Sequence, residues 1–289
     1  AMFVVLAALI LRPVGFKYRS KRESATWRTS WDWALFVGGF VPALIFGVAL
    51  GNVLQGVPFD IDRTLRATYT GGLLGLLNPF ALLCGLASVA MLVVHGASWL
   101  VVKIEHGHVM NRAAKFGQIA ALLVIVFYAA AGIWLAVTGM GYRIVTDMDP
   151  NGVANPLRKD VVVEAGAWLT NYGKYPWMIL APALGFIGSA LAFVGLRNKT
   201  SLSLIGSGLA ATGIVASVGT SMFPFILPSS INPNASLTVW DSSSSHLTLF
   251  IMLIVTVIFV PIILAYTAWV FKVLFGRLTT EEANAPGTY

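Results

Sequence analysis

The sequence predicts an all-α, polytopic integral membrane helix bundle, and three observations carry that reading. Charged residues make up 11% of the chain, less than half of the quarter usual in soluble domains. Hydrophobic residues make up 57%, and the mean hydropathy is +0.79. Six runs contain no Asp, Glu, Lys or Arg: Ala34–Val53, Pro79–Val102, Phe116–Gly139, Pro176–Leu196, Ser201–Ile226 and Leu247–Phe271. Each reaches the ~20 residues that a helix needs to cross the ~30 Å hydrocarbon layer. Lipid offers the backbone no hydrogen-bond partner, so a spanning run closes its own ladder as a helix.

Taken in order, the chain first offers Ala1–Leu11, an apolar run too short to span and without the basic start or cleavage site of a signal peptide. It is expected to be the second half of a spanning helix (about 1–11), the sequence being truncated ahead of it. Full spans are then expected over about 34–53, 79–102, 116–139, 176–196, 201–226 and 247–271, in a single membrane domain of residues 1–289 that ends in a tail, 272–289. Trp31, Trp33, Trp99, Trp177 and Trp269 fall at span ends, where an aromatic belt belongs. Ala181, Gly185, Gly188 and Ala192 form a small-residue stripe at helical spacing, Gly206, Ala210, Gly213 and Ser217 form another, and Gly47 with Gly51 makes a GxxxG pair. Such stripes let helices approach closely where lipid supplies no hydrophobic drive; packing alone accounts for them.

The loops set the orientation. Thirteen basic residues lie on one side, from Arg12, Lys17, Arg19, Lys21, Arg22 and Arg28 through Lys103, Arg112, Lys115, Arg197 and Lys199 to Lys272 and Arg277. Six lie on the other: Arg63, Arg66, Arg143, Arg158, Lys159 and Lys174. The positive-inside rule puts the first side, and with it the C-terminus, in the cytoplasm. The three outer loops, Leu54–Asn78, Met140–Tyr175 and Leu227–His246, are long and rich in Pro, Asn, Gly and Ser. Within the second, Val161–Thr170 is apolar enough to lie on the surface as a short helix.

Chemistry-bearing residues are few. The net charge of +7 is spread over short loops, which suits a membrane surface and not a nucleic-acid groove. Cys84 is the one cysteine, which excludes an internal disulfide, an iron–sulfur cluster held by this chain alone and a CxxCH haem attachment; its plain reading is a small packing residue. An ionisable side chain in a span is a functional candidate, and His95 qualifies as a haem ligand, proton relay or quinone contact, set against a histidine that only bonds a neighbouring helix. His106 and His108 lie in a cytoplasmic loop, and His246 sits at an outer boundary. Asp32, between Trp31 and Trp33, reads as the cap of the helix that follows. Asp241 invites the same reading, or with His246 a proton entry point. Arg12 closes the half-span before Pro13, where its charge either snorkels to headgroups or pairs with an acid on another helix or subunit. Asn198 and Asn234 stand in glycosylation sequons, a motif too short to weigh. P-loop, zinc and nucleophile-elbow motifs are absent from the sequence.

Seven stretches sharpen this reading: Arg12–Ser20 (RPVGFKYRS), Trp31–Trp33 (WDW), Gly51–Phe59 (GNVLQGVPF), Leu77–Leu83 (LNPFALL), Glu164–Leu169 (EAGAWL), Met222–Ser230 (MFPFILPSS) and Asn234–Ser244 (NASLTVWDSSS). In that order, over nearly the whole chain, the sequence resembles subunit II of cytochrome bd-type quinol oxidases, including the cyanide-insensitive branch. The resemblance implies nine helices, two and part of a third preceding Ala1, in a bacterial plasma (inner) membrane. It implies a haem-bearing partner, subunit I, in a heterodimer core that oxidises quinol and reduces O2 to water, generating proton-motive force without a pump. Haems b and d are expected on that partner and none on this chain alone. In some members a structural quinone sits in subunit II, and small accessory subunits bind the complex. The acids for proton conduction belong to the helices before Ala1, so none can be carried over. Arg12 matches a family arginine implicated in assembling the haem centres; His95 lies where polar residues vary, and no role transfers to it. The expected function is therefore a subunit without the catalytic centre, supporting assembly, haem environment and proton supply. The alternatives are a transporter or channel, which would want acids in its spans, and a self-contained b-type cytochrome, which would want more buried His or Met ligands.

Overall fold

The computed structural model describes residues 2–72, 74–148, 152 and 154–277. Ala1 of the half-span and the tail from residue 278 onward lie outside the described residues. Helix α1 (Met2–Tyr18) is followed by α2 (Ala25–Gln55), the hairpin β1 (Phe59–Ile61) and β2 (Ala67–Tyr69), α3 (Pro79–Lys103) and α4 (His108–Val137). A second hairpin pairs β3 (Tyr142–Ile144) with β4 (Val161–Val163), and a short α5 (Thr170–Lys174) leads through a 3-10 turn into α6 (Leu180–Asn198). Then come α7 (Leu202–Met222), the hairpin of β5 (Phe225–Leu227) and β6 (Leu237–Thr238), a single turn α8 (Val239–Ser242) and α9 (His246–Val273). Among the described residues six helices are long and apolar enough to cross a membrane: α2, α3, α4, α6 with its preceding turn, α7 and α9.

The interhelical core follows residue size. A methyl group built on Gly188, Gly206 or Gly213 would collide with the backbone of the facing helix, so the stripes on α6 and α7 are in main-chain contact. Gly47 and Gly51 seat α2 in the same way on Cys84, Gly85 and Ala81 of α3. Val94, Val101, Met110, Ala121, Val124 and Leu196 close the core between α3, α4 and α6. All three hairpins gather at one end of the bundle, over a second cluster that includes Leu54, Phe80, Tyr142, Trp168 and Phe225.

Several boundaries differ from the sequence reading, each for a local reason. The first helix does not stop at Leu11: it runs through Arg12 and Pro13 to Tyr18, with Gly15 pressed against Leu35 of α2. Asp32 does not cap the following helix, because α2 starts a full two turns earlier, at Ala25, where Trp27 packs edge-on against Trp31 one turn along. Its carboxylate instead pairs with Arg19 across the α1–α2 turn. His108 is the first residue of α4 and not a loop residue. Val161–Thr170 is not one surface helix: three successive valines, which favour extended backbone, pair as β4 with Tyr142–Ile144, and helical backbone begins only with a 3-10 turn at Ala167–Leu169 that runs into α5. The run Ser201–Ile226 overshoots α7, since Pro224 cannot continue a helix and excludes helical backbone at the residue before it.

Candidate functional site

The hairpin end is one hydrogen-bonded cap, and most of its polar contacts come from the quoted motifs. Asn52 on α2 donates to Leu76 O at 2.7 Å and accepts from Asn78 Nδ2 at 3.1 Å, while Asn78 Oδ1 caps α3 by accepting from Ala81 N–H. Trp168 Nε1–H donates to Leu54 O at 3.0 Å, and the Tyr142 hydroxyl to Gln55 O at 3.1 Å, tying the second loop to the end of α2. Ser229 Oγ–H donates to Phe59 O, and Val161 N–H donates to Asn234 Oδ1 at 2.7 Å, tying the third loop to the first and second. Asn234 is thus a structural acceptor, whatever its sequon suggests.

At the centre of the cap is a buried ion pair. Lys159 Nζ lies 2.6 Å from Asp241 Oδ2, with side-chain exposures of 0% and 2%. Burial works against the Asp241 carboxylate, but hydrogen bonds from Lys159, the Thr238 N–H and Ser242 outweigh it and hold its pKa below the usual carboxylate range. Burial pulls the Lys159 ammonium down from its ordinary value, against the pull of Asp241. Asp241 does cap a helix, but the helix is α8, through a Thr238–Asp241 box; α9 is capped by Ser245, which accepts from Thr248 N–H.

Beneath the cap lies a cavity of about 470 Å³ between α2, α3, α4, α6 and α7. Its walls are apolar, with Leu54, Phe80 and Phe186 among them, and its polar lining is a cluster of hydroxyls. Tyr128 donates to Ser217 Oγ at 2.7 Å, and the Tyr172 and Ser221 hydroxyls are 2.7 Å apart. Cys84 also lines it.

The sequence candidates do not converge. Arg12 is exposed at the opposite end, its stem packed on Gly38 of α2, and it makes no ion pair among the described residues. His95 lies on the outside of α3 with Nδ1 3.0 Å from Ser207 Oγ on α7. Ser207 Oγ also donates to Leu204 O at 2.9 Å, which leaves an oxygen lone pair facing the imidazole. His246 is exposed at the start of α9, and Asp241 is committed to Lys159. The polar residues that sequence reasoning missed are Lys159, Asn52, Asn78, Tyr128 and Tyr172. Asn52 and Asn78 stood inside quoted motifs; Lys159 counted only as an outer basic residue.

For haem, His95 offers one imidazole, with its Nδ1 held by Ser207, and a centre with two axial ligands would need a second ligand beyond it. Among the described residues no three His, Cys, Asp or Glu side chains cluster for a metal.

Comparison with known proteins adds the context for this geometry. Residues 1–274 match the family model described as cytochrome bd terminal oxidase subunit II. The chain is 48% identical over 284 residues to cytochrome bd-I ubiquinol oxidase subunit 2 of Escherichia coli (strain K12), covering 98% of this chain and 74% of that protein. It is 28% identical over 290 residues to cytochrome bd ubiquinol oxidase subunit 2 of Bacillus subtilis (strain 168), covering 99% and 74%. Among solved structures it is similar in fold to a chain of the bd oxidase from Geobacillus thermodenitrificans, with a TM-score of 0.55 at 13% identity over 96% of this chain and 73% of that one.

Proposed function

The chain belongs to the cytochrome bd terminal oxidase subunit II family, and from that premise we propose that it is the subunit that builds the frame of the oxidase while its partner holds the haems. It is a multi-pass membrane subunit of a cytochrome bd quinol oxidase, a respiratory terminal oxidase whose complex contains haem and a subunit I. The transporter or channel reading finds no support in these likenesses.

The observation that supports a framing role is the contrast between the cap and the spans. The cap is tied by a buried ion pair and a chain of asparagine and tryptophan bonds, whereas the six uncharged runs hold one histidine, His95. In this reading the haems b and d sit on subunit I. The cap faces the outside and the basic ends, with the C-terminus, face the cytoplasm of a bacterium, as the thirteen-to-six division of basic residues favours. The cavity under the cap has the size and apolar lining of a small-molecule site; a structural quinone there would take its ring-oxygen bonds from Tyr128 and Tyr172 only as their hydroxyls turn from Ser217 and Ser221, and it would add packing to the bundle. Small accessory subunits complete the assembly.

Arg12 is the residue of this chain assigned to assembly. Its guanidinium stays charged at any physiological pH and offers five N–H donors in a fixed fork. Its stem is fixed on Gly38 while its head stands clear of the described residues, which suits an acceptor on another helix or on subunit I. In the full-length subunit, Arg12→Gln is expected to lower the haem d absorbance of membranes and Arg12→Lys to retain part of it. A hydrogen bond to a charged group contributes about 1.5–3 kcal/mol, enough to deplete an assembled complex. Full haem content and quinol-driven oxygen uptake in the glutamine variant would reduce Arg12 to a boundary residue.

A further inference from the structure

At the end opposite the cap, α3 stops at Lys103 and α9 at Val273. Between them lies a crevice of about 510 Å³ walled by Trp99, Leu100, Ile104 and residues 273–277. Its charged equipment is cationic. Lys103 Nζ donates to Leu274 O at 2.6 Å and to Gly276 O at 3.3 Å, and stands 5.6 Å from the centre of the Trp99 ring and 5.7 Å from that of Phe275. Two of its three protons are thus used and one remains. Arg277 lines the same crevice. Among the described residues neither cation forms an ion pair, and Glu105, two residues beyond Lys103, is exposed and forms none either.

Depth and walls point the same way as charge. Trp99 meets Phe271 edge to face, and Tyr266 packs with Trp269 one turn away; aromatic residues at the ends of spans mark the headgroup level. Above the crevice α9 buries none of its side chains within this chain, so an exposed apolar surface continues from it into the hydrocarbon layer.

We propose that this crevice binds the phosphate of an anionic membrane phospholipid, with its acyl chains laid along α3 and α9. The carboxyl ends of α3 and α9 each oppose an anion with roughly half an elementary charge. Two full positive charges outweigh them, and Lys103 already masks two of the terminal carbonyls. The guanidinium fork of Arg277 suits two phosphate oxygens, and the free proton of Lys103 a third. A net-neutral headgroup would bring its own ammonium up to these cations, so the site selects a headgroup without one. A lipid held there bridges α3 to the helix that has the fewest partners in this chain.

Native mass spectrometry of the purified oxidase complex, titrated with phosphatidylglycerol, phosphatidylcholine or inorganic phosphate, tests this. Wild type is expected to retain one more phosphatidylglycerol than Arg277→Gln, whose affinity falls about fivefold, the effect of one basic residue near a lipid surface. Lys103→Gln is expected to lose the same lipid, but it also cuts the bonds that hold the end of α9. Arg277→Gln leaves those bonds intact and is the deciding variant. Equal phosphatidylglycerol retention in wild type and Arg277→Gln overturns the proposal, as does equal binding of phosphatidylcholine. Displacement of the lipid by millimolar inorganic phosphate would make this a site for free anions and would overturn the lipid assignment.

Discussion

The α6–α7 pair and α9 are made for the same solvent but packed in opposite ways. α7 has the lowest mean hydropathy of the six spanning helices, 1.6, and α9 the highest, 3.0. Yet α7 lies in main-chain contact with α6 along Gly206, Ala210 and Gly213, while α9 buries none of its side chains within the chain. Apolarity therefore does not decide which helices pack in a bilayer. Lipid is as apolar as leucine, so contact between helices depends on small residues and hydrogen bonds. α7 has both, including Ser207 to His95 and Ser217 to Tyr128; α9 is joined to the rest at its ends, by α8 and the cap on one side and by Lys103 and Trp99 on the other.

The largest effect is expected in the cap that holds both helices. Asp241→Asn leaves Lys159 buried without its counter-charge, a change that typically costs about 3–5 kcal/mol, and thermal unfolding of the purified complex should show it. The wild-type pair has its own pH signature. Because the folded Asp241 carboxyl lies below the usual range, its contribution is complete above the unfolded value near ~4 and is lost as pH falls through the lower folded value. That acid limb should be absent in the asparagine variant. Next comes Gly188→Val on α6: added side-chain volume meets the backbone of Ala210, and overpacking of this kind costs about 1–3 kcal/mol. Leu253→Ala, at an exposed position of α9, should change stability by less than about 0.5 kcal/mol. A loss at Leu253 equal to that at Gly188 would show that protein, not lipid, covers this face in the complex.

The spans were legible because a run of twenty uncharged residues has few fates other than crossing a bilayer. Their ends were less so, and for particular reasons. Trp27 and Trp31 extend α2 beyond its apolar run through ring packing that hydropathy does not register, and Pro224 ends α7 inside an apolar run. The site was harder still. Lys159 and Asp241 are 82 residues apart, and His95 and Ser207 are 112 apart; neither pairing leaves a local pattern. The motifs Gly51–Phe59 and Leu77–Leu83 pointed to the family, yet the reason their asparagines matter, a bonded chain from α2 to the start of α3, needs the fold. Asp241 and His246, five residues apart in sequence, have separate surroundings.

In the proposed division of labour this chain is the frame and its partner carries the haems. The most direct test is a reduced-minus-oxidised absorption spectrum of three membrane preparations, from cells expressing the full-length subunit alone, subunit I alone, and both. No stoichiometric haem signal is expected from this subunit alone, and the full b and d signals are expected from the pair. A stoichiometric Soret band from this subunit expressed without its partner would contradict that division of labour.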